Sequence, residues 1–194
     1  SAKGTDPTKI PNWKLQIKSK QGDFTHTGDL NYNTSTQDLQ AKYTGKSESM
    51  LYYANLTSNM DSGDMTPFKK FDSGIRYTPQ KGDVYSLDYG YNFQDESHNM
   101  DMMAQKRLGD FSVRGRQNLQ YDDRNGLRSN TELMGAYHIG NDLSLIGGAD
   151  VGHNFNSGES SIKAQAGIQY KDVPIVLSYD PQTKSTSVGI TLRF

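Results

Sequence analysis

The sequence predicts an all-β fold: an antiparallel up-and-down barrel of about twelve strands, with ten to fourteen in range. Three observations predict it. Apolar residues recur at every second position in segment after segment, the period of a strand with one apolar and one polar face. No stretch sustains a 3.6-residue apolar period, so no helix is predicted. Only 33% of the 194 residues are hydrophobic, although the chain carries 12 Tyr, 7 Phe and 19 Gly. That is too apolar-poor for an ordinary packed core and too aromatic and regular for disorder.

The elements follow in order. Ser1 to Pro11, with Gly4, Pro7 and Pro11, reads as a loose leader. Trp13, Leu15 and Ile17 alternate with Lys14, Gln16 and Lys18 in a short strand-like segment ending at Lys20. Weak alternation through 23–33 and 37–44 is followed by 48–58, where Met50, Tyr52, Ala54 and Leu56 share a face. Residues 59–72 read as the longest loop, and a strand over 73–80 carries Ile75 and Tyr77. Clear strands follow at 83–93, 99–108, 110–121, 127–139, 142–155, 160–171, 173–180 and 185–194. Asn125-Gly126 is the pair favoured in type I′ turns. The connections 80–83, 108–110, 139–142 and 171–174 are short, whereas 59–72, 94–98, 122–126 and 156–160 are longer and polar. Counting from residue 23 gives twelve strands, so 13–20 is expected outside the wall. The division is then a polar N-terminal leader or lumen or periplasmic segment over 1–22 and a barrel over 23–194.

The last ten residues decide the class. Thr186, Val188, Ile190, Leu192 and Phe194 fall on one side, and Ser185, Ser187, Gly189, Thr191 and Arg193 on the other. A strand that is apolar at alternate positions and ends on Phe resembles the C-terminal strand of bacterial outer-membrane β-barrels. The resemblance implies a transmembrane barrel in the outer membrane, recognised during biogenesis by the barrel assembly machinery. Its surroundings would be membrane lipid and lipopolysaccharide, met by the lipid-facing Val188, Ile190, Leu192 and Phe194. It also implies short periplasmic turns and long external loops. Tyr32, Tyr43, Tyr77, Phe93, Tyr121, Tyr137, Phe155, Tyr170, Tyr179 and Phe194 lie at or near strand ends, where aromatic girdles belong. Length and inferred strand number are similar to those of the small twelve-stranded oligogalacturonate-porin type. That similarity is of architecture, and no substrate residue carries over from it.

The opposite phase would line the lumen. It holds Lys14, Lys18, Lys42, Arg76, Arg107, Arg114, Arg116, Arg128, Lys163 and Arg193. The acids Asp29, Asp38, Asp88, Asp101, Glu132, Asp150 and Asp180 share it. Arg107, Arg114, Arg116, Arg128, Lys163 and Arg193 are the candidate solute-contacting residues, because stacked guanidinium groups suit carboxylates and phosphates. The alternative is that acids and bases pair across the lumen and plug it.

Other chemistry has little support. Net charge is −1, which exerts no global pull on nucleic acid, and cysteine is absent. No apolar run approaches the roughly 18 residues of a membrane helix. No signal-peptide core is present, so an exported chain would be read here in its mature form. The histidines 26, 98, 138 and 153 are scattered, and neither metal ligation nor a cofactor is expected. His153 with Ser157 and Ser160 is the nearest approach to a catalytic set, and no enzyme is expected. Met100 and Met102 read as apolar filling, and Asp122 to Gly126 as turn chemistry rather than a calcium loop. The expected function is a porin-like channel or binding site for small polar, by preference anionic, solutes. The alternatives are a translocator or assembly barrel serving a partner protein, and a secreted soluble β-barrel or sandwich.

Overall fold

The computed structural model describes residues 12–60, 67–171 and 173–190. The leader and Leu192, Arg193 and Phe194 lie outside these residues. All regular structure is β. The strands are β1 (Trp13–Gln21), β2 (Phe24–Asn33), β3 (Asp38–Lys46), β4 (Met50–Asn59), β5 (Phe68–Tyr77), β6 (Val84–Asn92) and β7 (Ser97–Leu108). They continue with β8 (Phe111–Asp122), β9 (Gly126–Ile139), β10 (Leu143–Asn154), β11 (Ser160–Tyr170), β12 (Val173–Asp180) and β13 (Ser185–Ile190). They form one sheet in sequence order, and every pairing is an antiparallel hairpin.

Two expectations are corrected. The sheet has thirteen strands, because residues 13–21 pair with β2 over nine positions from Trp13↔Tyr32 to Gln21↔Phe24. The alternation of Trp13, Leu15 and Ile17 therefore means what alternation means elsewhere in the chain. The strand expected at 73–80 begins earlier, at Phe68. A register shift between Thr57 and Ser58, opposite Lys70 and Phe68, breaks the period of two and hid its first half. The odd count makes β1 and β13 run in the same direction.

The connections alternate between two rims. One rim carries 22–23, 47–49, 78–83, 109–110, 140–142 and 171–172, the other 34–37, 60–67, 93–96, 123–125, 155–159 and 181–184. Tight turns on the first rim use residues at positive φ: Gly22, Gly109, Gly140 and Lys171. The second rim repeats a different device. Each strand that arrives there ends in Asn or Asp: Asn33, Asn59, Asn92, Asp122, Asn154 and Asp180. Five of these accept backbone N–H groups two or three residues on, as Asp122 does from Arg124 and Asn125 at 3.1 and 2.7 Å. Asn125-Gly126 is thus not a type I′ pair, since only Gly126 has positive φ.

The register separates the side chains completely. One face carries Leu15, Leu30, Ala41, Leu56, Phe71 and Tyr91 in a single cross-strand row, and Leu133, Ala149, Ala164 and Tyr179 in another. Within the described strands, Lys106 is the one Lys, Arg, Asp or Glu in this phase, opposite Val113 by a tight turn. The other face carries the charges. Its rows also climb: the row leaving Lys20, next to last in β1, reaches Lys163, the fourth residue of β11. Such stagger is what a tilted, curled sheet requires.

Burial reverses the usual order. Among the described residues no apolar side chain is buried. Leu133 is 57% exposed and Leu177 52%, whereas the Asp101 and Glu132 side chains are 15% and 22% exposed. On the charged face the paired carboxylates are sheltered and their cations reach out to water.

A cysteine-free chain allows a direct check of β1. Lys18→Cys with Thr27→Cys, a register pair, is expected to form a disulfide on mild oxidation. Lys18→Cys with His26→Cys, on opposite faces, is expected to stay reduced. Equal cross-linking of both pairs, read by gel mobility, would remove β1 from its place in the sheet.

Candidate functional site

The site is the polar face of β7 to β11, built from residues that the register brings side by side. Met103, Arg116, Glu132, Asp150 and Lys163 follow one another in a row across these five strands. Arg116 grips Asp101 with Nε at 2.8 Å and Nη2 at 2.7 Å from Oδ2. Asn118 Nδ2 donates to Asn99 Oδ1 at 2.9 Å and to Asp101 Oδ2 at 3.3 Å. Arg114 pairs with Glu132, and Gln165 donates to the Asp150 carboxylate. Arg128 Nη2 lies 2.9 Å from Asp122 Oδ2. A polar hollow of about 410 Å³ lies between Asp101, Arg116, Asn118, Gln120, Arg128 and Glu132.

Of the basic residues singled out from sequence, Arg107, Arg114, Arg116, Arg128 and Lys163 lie in the polar phase of this face. Arg193 lies outside the described residues. Arg114, Arg116 and Arg128 are each in an ion pair with a carboxylate on their own or an adjacent strand. Each pair joins neighbouring strands of the sheet. Arg107 donates from Nε to the Gly109 carbonyl at 3.1 Å, and its stem lies against Gly82. Val188 lies on the apolar face, 66% exposed, opposite Leu177. Ile190 pairs with Ile175.

The same face over β4 to β6 holds a second polar group. Tyr53 donates to Asp88 Oδ1 at 2.7 Å, and both close over Gly74, where a Cβ would collide with them. Lys70 pairs with Asp72 at 3.0 Å. Tyr53 is a member that the sequence reading missed. In sequence, Leu51 and Tyr53 make that face of 48–58 as apolar as the one of Met50, Tyr52, Ala54 and Leu56, so alternation does not mark it as polar.

The apolar face satisfies its few polar residues locally. Thr131 donates to Gln117 at 2.5 Å. His26 meets the Tyr43 hydroxyl at 2.8 Å, His98 the Tyr89 hydroxyl at 2.9 Å, and His153 the Ser160 hydroxyl at 2.8 Å. Rings crowd both ends of this face: Phe24, His26 and Tyr52 at the tight-turn rim, Phe68, Tyr91, Phe93 and His98 at the other. An aliphatic band lies between them. His153 and Ser160 have a nucleophile–base contact, but among the described residues no carboxylate bonds the ring to orient it. His138 sits on the polar face between Ser112 and Ser144, at 3.1 and 2.8 Å.

Comparison with protein-family models, with curated proteins and with solved structures finds no match for this chain.

The ion pairs are open to water on the cation side, with Arg114 and Arg116 side chains 44% and 53% exposed. Exposed pairs are worth ~0.2–1 kcal/mol. A double-mutant cycle on Asp101→Asn and Arg116→Gln is therefore expected to give a coupling below about 1 kcal/mol that shrinks in high salt. A salt-independent coupling of several kcal/mol, measured by denaturant unfolding, would indicate a dry, plugged interior.

Proposed function

We propose that this chain is a bacterial outer-membrane β-barrel whose charged face lines a water-filled path for small polar solutes. The observation that carries the reading is the inverted burial. Aliphatic side chains stand in the open while carboxylates are sheltered, which is unfavourable in water and favourable in lipid. At ~25 cal/mol per Å², an apolar face this broad would not stay exposed to water in a monomer. Strands of mostly nine to fourteen residues suit the 9–11 that a tilted membrane strand needs. Rings flanking an aliphatic band suit the two lipid–water interfaces.

In lipid an unpaired sheet edge costs several kcal/mol per unsatisfied group, so the reading requires closure between β1 and β13. These two strands run in the same direction, and a parallel seam makes an odd-numbered barrel self-consistent. The tight-turn rim would face the periplasm and the Asx-capped loops the exterior. Chemically, the paired arginines present alternating charge and amides along the path. Such a wall replaces water around hydroxyl, carboxylate or phosphate groups without trapping one sign strongly. This favours polar solutes broadly, with anion preference set by whichever cations lack a partner.

Planar-bilayer recording tests the function: discrete conductance steps are expected, and none from correctly inserted protein would exclude a pore. The barrel phase has its own test. Leu177→Arg places a cation against lipid, at a cost of about 2–4 kcal/mol near the midplane, whereas Ser178→Arg faces water and costs little. Leu177→Arg is expected to lose most of the folded species in a heat-modifiable gel shift. Ser178→Arg is expected to keep it. Equal losses would contradict the assignment of faces.

A further inference from the structure

Three cations without a carboxylate partner among the described residues stand together at one mouth. Lys20, Lys46 and Arg76 belong to a single cross-strand row, linked through Thr25 and Leu51. They stand on β1, β3 and β5, the strands that run into the tight-turn rim, each at its last or next-to-last position. All three are exposed. Among the described residues none takes part in an ion pair, in contrast to Arg114, Arg116 and Arg128 on the same face. The intervening row positions are neutral. The nearest acid of this face, Asp88, is held by Tyr53. Asp23, Glu48 and Asp83 lie in the adjoining turns; among the described residues none is in an ion pair with the row, and Asp83 accepts instead from Gln80 Nε2 and the Arg107 backbone.

We propose that Lys20, Lys46 and Arg76 form a cationic collar that binds multivalent anions at the tight-turn mouth. This rests on the polar face being the lumen wall and names the solute class that this wall gathers. Alternate strands are about 10 Å apart, so the three backbones span an arc of about 20 Å. Long flexible side chains on that arc converge on a solute bearing several phosphate or carboxylate groups. Lysine ammoniums act as point charges, and the Arg76 guanidinium adds a bidentate hydrogen-bonding fork. A low-dielectric wall around them concentrates their field toward the opening. The rim lacks such a row over β9 to β12, where the polar-phase positions near the turns are Ala136, His138, Ser144, Gln169 and Pro174 and the turn residue Lys171 lies over the apolar-face Tyr170 ring at 5.5 Å. Anion capture is therefore lopsided around the mouth.

The test uses inorganic triphosphate as the probe and detergent-folded protein in calorimetry at low salt. Binding is expected, weakening at least tenfold in Lys20→Gln/Lys46→Gln/Arg76→Gln and on raising salt toward 1 M. The control Lys69→Gln/Arg124→Gln/Lys184→Gln removes the same charge at the long-loop rim and is expected to change affinity less than twofold. No binding by the wild type, or equal weakening in both triple variants, would overturn the collar. In bilayers, triphosphate added at the tight-turn mouth is expected to block current more strongly than at the other. Collar-dependent binding without any conductance would defeat the pore while leaving the collar. Conductance without collar-dependent binding would do the reverse.

Discussion

The constraint on which everything else depends is the cross-strand register. With a side-chain period of two, a slip of one residue would carry an entire strand's charges from one face to the other. Twelve consecutive hairpins keep that register, so rows such as Arg116, Glu132, Asp150 and Lys163 assemble from strands far apart in sequence. Turn chemistry holds it at both rims, through positive-φ residues at each and Asn or Asp caps at one. With no apolar residue buried among those described, the register takes over the specifying role that a packed core has in a soluble domain.

Satisfying the polar face follows from the same constraint. Each acid of β7 to β10 has a neighbour within reach: Asp101 has Arg116 and Asn118, Glu132 has Arg114, and Asp150 has Gln165. The pairs form between or along neighbouring strands. They therefore stiffen the sheet along its polar face. In the proposed pore such a face stays hydrated, and its charges act on solutes through water rather than as dry pairs.

Much of this was legible in the sequence because a half-apolar strand writes its two faces directly into the residue order. Leu143 to His153 needs no partner to be recognised, and the polar phase of Arg114 and Arg116 follows from Val113 and Gly115 between them. What escaped had physical reasons. Lys69-Lys70 beside a register shift broke the alternation that would have begun β5 at Phe68. Bacterial single-chain barrels have even strand numbers, and a count of twelve from residue 23 set aside β1, although Trp13, Leu15 and Ile17 alternate. The ion pairs escaped because alternation fixes a face but not which residue of the next strand stands opposite. The recurring Asn or Asp at alternate strand ends was a signal in plain view, and it predicts capped loops at one rim.

The central claim is that the apolar face meets acyl chains while the charged face meets water. Trp13 is the only tryptophan, so replacing it with Phe leaves a dark background for single reporters. Leu133→Trp and Asn130→Trp place the reporter on opposite faces of β9. In vesicles of lipids brominated along the acyl chain, the account predicts strong quenching of the residue 133 reporter and weak quenching of the residue 130 reporter. An aqueous quencher such as acrylamide should give the reverse order. Equal accessibility of both reporters to acrylamide, with no quenching by brominated lipid, would contradict it.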